Sequence, residues 1–261
     1  MVGLRISAAI PVLLTVALVG LLLRGAWSMG EVVMPAAGLG SLVLGTLVVA
    51  GLATAIALPI GLLAALYLGE FALPRRRRWL KPALELLAGV PTIVYGLVAV
   101  MVVGPLLHRI WPSVQIHSGL AASLVLALMI LPTIASLSED ALRTVPRQLR
   151  EASLALGATR LRMLWVVALP AARPGIVAAT MLAVARAMGE TMIMTLAAGD
   201  GGSIGLDPLR AVETLTSLQG RAALRGLHDP SMYTAAMALL VLSLMAHGIA
   251  HRLVRRRGRW S

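Results

Sequence analysis

The sequence predicts an all-α protein that crosses a membrane about six times. Three observations lead there. The 261-residue chain is 59% hydrophobic and only 13% charged, with mean hydropathy +0.89. Its apolar residues gather into runs of about 18 or more, the length of a transmembrane helix. Prolines (Pro59, Pro91, Pro132) stand inside three of those runs. Soluble domains run near 45–50% apolar and about 25% charged, so an ordinary soluble enzyme and a disordered tail are both excluded. No cysteine is present, so no disulfide can form.

The runs fall in order at Ile6–Leu23, Leu39–Leu68, Ala83–Leu107, Gly119–Leu137, Pro174–Ala198 and Met232–Ala250. In lipid every backbone N–H and C=O must be satisfied within the segment, so each run is expected to be helical. Proline is tolerated where neighbouring helices cover the freed carbonyl, which points to a packed, kinked bundle. Arg5 before the first run could mark a signal peptide, but the run is long for one and no A-x-A site follows. The expected division is a first helix and outer linker over 1–37, a transmembrane domain over 38–253 and a basic cytoplasmic tail over 254–261.

Arginine and lysine set the orientation. With the N-terminus inside, the inner segments carry Arg5, Arg75–Arg78, Lys81, Arg143, Arg147, Arg150, Arg160, Arg162, Arg173 and the basic cluster Arg252–Arg259. The outer segments carry only Arg24, Arg109, Arg210, Arg221 and Arg225. This asymmetry fits the positive-inside rule and places both termini in the cytoplasm. The net charge of +12 is thereby assigned to topology and anionic lipid headgroups. Nucleic acid is not an expected partner, since no basic stretch is interleaved with stacking aromatics. The run Arg75–Arg78 reads as a topology anchor, and Glu70 and Glu85 as ordinary surface ion-pair partners.

The later part of the longest outer loop, 200–231, about Pro208–Arg225, has apolar spacing at Leu209, Val212, Leu215 and Leu218, compatible with a short surface helix. The inner stretch Glu139–Arg173 is too structured for a turn. Pro146 suits a first helical turn. Leu149, Ala152 and Leu156 then share one face, with Arg147, Arg150, Arg160 and Arg162 toward solvent or headgroups. Gly157 sits where a helix C-cap takes positive φ. Thr159 can cap a second short helix, which Leu169-Pro170 would close. By spacing alone this could be an interfacial pair that only anchors the bundle.

Arg186 lies about 12 residues into the fifth run, near the bilayer midplane at about 1.5 Å per residue. Glu190 follows at i+4, on the same face of a continuous helix. Each buried charge costs on the order of 2.5–3.5 kcal/mol to insert. Two readings fit: a self-satisfied ion pair that fixes helix packing, or a pair lining a translocation path, with Arg186 attracting an anion and Glu190 holding or releasing the arginine. The planar fork of arginine suits a phosphate-like oxyanion. Thr191, Thr195 and Gly189 supply hydroxyls and small residues nearby.

Glu151-Ala152-Ser153, three residues, Gly157, nine residues, Val167, one residue, Leu169-Pro170 resembles the EAA loop of ABC importer permeases. Ser153 stands for the second alanine of that pattern and Val167 for its isoleucine. Ala185-Arg186-Ala187-Met188-Gly189-Glu190-Thr191-Met192 resembles the R-A-x-G-E-T stretch of the phosphate-specific (Pst) permeases, and Pro91-Thr92-Ile93-Val94-Tyr95-Gly96 their P-S-x-x-Y-G segment. Thr191-Met192 is similar to the PstC type. The resemblance implies a type I importer (MetI-like) bundle with an inner-membrane location. It implies that Glu151, Ala152, Ser153, Gly157, Leu169 and Pro170 couple to a separate ATPase, and that Arg186, Glu190 and Thr191 belong to the substrate path. It further implies a related permease subunit as heterodimer partner, two ATP-binding subunits inside and a phosphate-binding protein outside.

The chain has no G-x-x-x-x-G-K-[ST] phosphate loop, so any ATP hydrolysis is expected of a partner, and no enzymatic activity or cofactor is expected here. The five histidines show no paired metal spacing beyond His247 and His251 at i, i+4, which read as interfacial polar residues. Two alternatives stay open: a sulfate or molybdate permease of the same architecture, whose typical G-E-F differs from Gly189-Glu190-Thr191, and a secondary transporter driven by an ion gradient.

Overall fold

The computed structural model describes residues 38–199, 207–226 and 230–257, with isolated positions before residue 38. The first expected span and its linker fall largely outside the described residues, as do residues 258–261 of the basic tail. The described chain is helical almost throughout, and five of its helices are long and apolar enough to cross a membrane.

Helix α1 runs over Leu39–Leu66 and continues as a π-helical turn, Tyr67–Phe71. Helix α2, Pro74–Ala88, is amphipathic and buries none of its residues fully. Helix α3 spans Thr92–Ile110, α4 Gly119–Arg143, α5 Arg147–Ala155 and α6 Arg160–Met188. After a short break a π-helical turn follows, Met194–Ala198. Helices α7, Leu215–Arg225, and α8, Pro230–Arg257, complete the bundle.

The core is built from small residues on α1 facing larger ones on α4. Val49, Ala53 and Ala57 are fully buried against Leu126, Met129, Ile130 and Ile134. A Cβ at Gly61 would stand 3.0 Å from the Ile134 side chain, so the two backbones approach closely there. Between lipid-immersed helices there is little hydrophobic drive, and close packing of small residues supplies the attraction instead. Ala183, Ala187 and Met188 bring α6 into the same core.

The structure departs from several sequence expectations. The third expected run, Ala83–Leu107, is not one helix. It breaks at Gly89–Pro91, so α2 lies apart and the span is α3. Proline disfavours α geometry in the residue before it, and the Tyr95 hydroxyl holds the break by donating to the Leu87 carbonyl at 2.7 Å. Leu169-Pro170 does not close a short helix. The chain runs on from Arg160 through a π-helical turn at Leu164–Ala168 into α6. Pro170 has no N–H for the Val166 carbonyl and its ring would crowd it. The wider π turn relieves both, as does the π turn Ala99–Val103 before Pro105.

Helix α7 is not a surface helix. Val212, Leu215 and Ala222 are fully buried. The expected apolar stripe exists, but it packs into the bundle beside Leu42 and Ala235. Buried Thr214 caps α7 in a reciprocal box with Ser217, and the Thr46 hydroxyl accepts from the Leu215 N–H at 3.0 Å. Those bonds satisfy the orphan donors of a helix start placed inside the protein.

Candidate functional site: a broken span and a protruding elbow

The fifth run breaks where sequence periodicity predicted continuity. Helix α6 ends at Met188, with Gly189 as its C-cap. Gly189, Glu190 and Thr191 form a short break, and Thr195 N–H to Thr191 O at 2.8 Å starts the next turn. Glu190 is 92% removed from solvent at 8% exposure, and its Oε1 accepts from the Met192 N–H at 3.0 Å. The carboxylate therefore caps the turn that follows. It does not pair with Arg186, so the expected i, i+4 ion pair on one helix face is absent between these two residues. The physical reason is local: a free N–H at a new helix start lies closer to Glu190 than the guanidinium does, and takes the carboxylate as its cap.

Arg186 is left exposed one turn before the break. Its Nη1 donates to Thr133 Oγ1 on α4 at 3.3 Å, a long bond to a neutral partner. Thr133 did not stand out in the sequence. Its only signal is its place directly after Pro132, the proline inside α4. Charged side chains within membrane spans are costly against hydrocarbon. Such residues face a bundle interior, a partner or water.

The two segments singled out for their resemblance meet in space. A Cβ on Gly96 would lie 2.7 Å from Leu196 Cδ1 and 3.3 Å from the Met192 carbonyl. Helix α7 closes the other side, where Gly220 abuts Thr195 Oγ1 and the Thr191 methyl. The break is thus held between α3 and α7, with Arg186 projecting beside it.

At the far end of α6 lies the elbow. Helix α5 ends in a Schellman motif: Gly157 has φ 82°, its N–H donates to Leu154 O at 3.0 Å, and the Ala158 N–H to Ser153 O at 3.2 Å. The Thr159 hydroxyl accepts from the Arg162 N–H at 3.3 Å, capping α6. Glu151, Ala152, Gly157 and Pro170 are exposed, and Ser153 and Leu169 half-buried. Leu156 is 89% exposed, and with Leu149 and Ala152 it lines a shallow cavity of about 450 Å³. The shared apolar face therefore points away from the bundle.

Arg150 does not face solvent as expected. Its guanidinium pairs with Glu70 at the end of α1 and also donates to the Leu142 carbonyl, with side-chain exposures of 18% and 11% for the ion pair. The arginine run also does more than anchor topology. Glu139 is fully buried and is bound by Arg77 at 2.6 Å, Lys81 at 2.8 Å and Arg143 at 3.6 Å. The Glu139 carboxylate, ahead of Asp140, raises the pKa of the Lys81 ammonium above its ordinary value. These ties fasten α2 and α5 to the ends of α1 and α4.

Residues 57–259 match the family model described as "Binding-protein-dependent transport system inner membrane component". The chain is 34% identical over 215 residues to the probable ABC transporter permease protein YqgH of Bacillus subtilis, covering 81% of this chain and 70% of that protein. It is 30% identical over 234 residues to the phosphate transport system permease protein PstC of Mesorhizobium japonicum, covering 81% and 72%. Among solved structures, an inward-facing MetNI methionine ABC transporter superposes with TM-score 0.67 at 22% identity, over 82% of this chain and 93% of that one. A bacterial alginate ABC transporter in complex with a pentasaccharide-bound periplasmic protein gives 0.62 at 16%, over 83% and 78%. The fold is that of the MetI-type importer permeases, and the chain belongs to the family of binding-protein-dependent transport system inner membrane components.

Proposed function

We propose that this chain is one of two permease subunits of an ATP-driven importer of inorganic phosphate. A related subunit completes the pore as a heterodimer. Two ATP-binding subunits engage the elbow from the cytoplasm, and a phosphate-binding protein docks outside. Both termini lie in the cytoplasm, with 38–253 as the transmembrane domain, 1–37 preceding it and 254–261 as a basic tail.

One observation carries this reading: the elbow and the broken span are the two ends of a single helix. Helix α6 is 29 residues long, about 40 Å at 1.5 Å per residue, from its cap beside Gly157 to Met188. Closure of the ATP-binding subunits would displace Glu151–Gly157, and Leu169-Pro170 lie on the rod that transmits the shift. Arg186, two residues before the far end, would move relative to Thr133. Its guanidinium offers parallel donors to two phosphate oxygens, and the long Thr133 bond is readily exchanged for charge-assisted ones. Glu190 shapes the break by capping, and Thr191 contributes to its polar lining. Similarity to PstC-named relatives supports phosphate as the cargo.

The test is uptake of labelled phosphate by the reconstituted complex carrying Arg186→Gln. A loss of at least tenfold with normal assembly is expected. Full uptake would remove Arg186 from the path, and equal inhibition of the wild type by sulfate or molybdate would reassign the cargo.

A further inference from the structure

A second basic site lies about one helix-length away from Arg186, on the elbow side of the bundle. Four arginines from three helices line one cavity of about 370 Å³: Arg77 on α2, Arg143 at the end of α4, and Arg147 and Arg150 on α5. Its floor includes Gly69 and Ala72 at the end of α1, and no acidic residue lines it. The volume falls within the range of small-ligand sites, about 300–1,000 Å³.

The ion pairs nearby do not exhaust the donors. Glu139 engages Arg77, and Glu70 and the Leu142 carbonyl engage Arg150, whose Nε, like that of Arg77, is buried out of reach; the donors open to the cavity are those of Arg143, half exposed and 3.6 Å from Glu139, and Arg147. The Arg147 side chain is exposed and makes no hydrogen bond or ion pair with any described residue. Convergent guanidinium groups match the oxygens of a phosphate group.

We propose that this cavity binds a phosphate group, and that the bound group bridges α2, α4 and α5. Two sources share that chemistry. One is the headgroup of an anionic phospholipid of the inner leaflet, reachable because the cavity lies at the membrane-end level of α1 and α4. The other is free inorganic phosphate, the cargo proposed above. Siting the lipid in the inner leaflet rests on the proposed orientation; the binding itself does not. An occupant ties the coupling helix to the amphipathic helix α2, so occupancy sets how freely the elbow moves.

The test is direct binding to the full-length chain in detergent, in wild type and Arg186→Gln, so that the mid-span cation is not counted. The probes are dioctanoyl phosphatidylglycerol, dioctanoyl phosphatidylcholine and inorganic phosphate. Saturable binding of phosphatidylglycerol or phosphate, in preference to phosphatidylcholine, is expected in both backgrounds. Arg147→Gln should weaken it at least tenfold, and Arg143→Gln should do the same. Arg147 has no partner to orphan, so this variant leaves the nearby ion pairs in place. Preference for the lipid identifies the headgroup as the source; preference for inorganic phosphate identifies the free ion. Binding that ignores both arginine substitutions, or no binding of either probe, overturns the proposal. Failure here would leave transport and its dependence on Arg186 untouched.

Discussion

Arg150 of the elbow helix α5 is paired with Glu70, the last charged residue of the first described span. With the bond from Arg150 to the Leu142 carbonyl, this contact ties the elbow to the ends of α1 and α4 as well as to its continuation, α6. A displacement of the elbow is therefore expected to reach all three spans.

Removing one partner of this pair should decouple the elbow. In Glu70→Gln, Arg150 keeps the Leu142 carbonyl but loses its charge partner, at a cost of about 1–3 kcal/mol for a mostly buried group. ATP hydrolysis in the assembled complex should persist while phosphate uptake per ATP falls severalfold. The exchanged pair Glu70→Arg with Arg150→Glu should recover part of the ratio. A double-mutant cycle on Tm measures the coupling.

Glu139 is the keystone for α2. Its substitution by Gln leaves Arg77 and Lys81 without their shared anion, and should lower stability by on the order of 2 kcal/mol, read as a drop in Tm. Lys81 supplies the pH signature. Its folded pKa is raised, so its contribution is fully present below the unfolded lysine value of about 10.4 and is lost as pH rises through the folded value. Between pH 6 and about 9 the wild type and Lys81→Arg should show the same pH dependence of Tm. Above about 10.4 the wild type should lose stability relative to Lys81→Arg, because arginine stays charged.

Gly157 is in the left-handed region at φ 82°, where a β-branched residue is strained by about 1–2 kcal/mol or more. Gly157→Val should reopen the turn and weaken association with the ATP-binding subunits by about tenfold, measured by co-purification. Gly157→Asn should retain most of it, since asparagine tolerates this conformation. Nothing lies within 4 Å of an added Cβ here, so backbone strain alone is being tested.

Glu190 separates capping from charge. Glutamine can still accept the Met192 N–H, whereas alanine cannot. Glu190→Gln should keep most uptake and stability, and Glu190→Ala should lose about 1 kcal/mol with a larger fall in uptake. The reverse order would restore the carboxylate charge, rather than the cap, as its role.

Much of this was legible in the chain. Long apolar runs marked the five described spans, though not the breaks within the third and fifth runs, because lipid leaves the backbone little choice but helix. Gly157 and Thr159 gave the elbow, because positive φ and capping are local chemistry. The continuity of α6 was hidden by Pro170, whose effect a π turn absorbs. The break at Gly189 was hidden because Arg186 and Glu190 have helical spacing, while the competing bond from Glu190 to Met192 is visible only in three dimensions. Arg77–Glu139 and Arg150–Glu70 join residues 62 and 80 positions apart, and no local pattern encodes such partners. The stripe of α7 was readable, but not whether lipid headgroups or protein would cover it.

On the proposed reading, a separate ATP-hydrolysing motor drives phosphate through this bundle by way of the elbow. Labelled phosphate uptake into proteoliposomes holding the full complex, with ATP, with a non-hydrolysable analogue, and with an imposed ion gradient alone, tests it most directly. Uptake that requires hydrolysable ATP and is unaffected by collapsing the gradient is the predicted result. Uptake sustained by the gradient without ATP would contradict it.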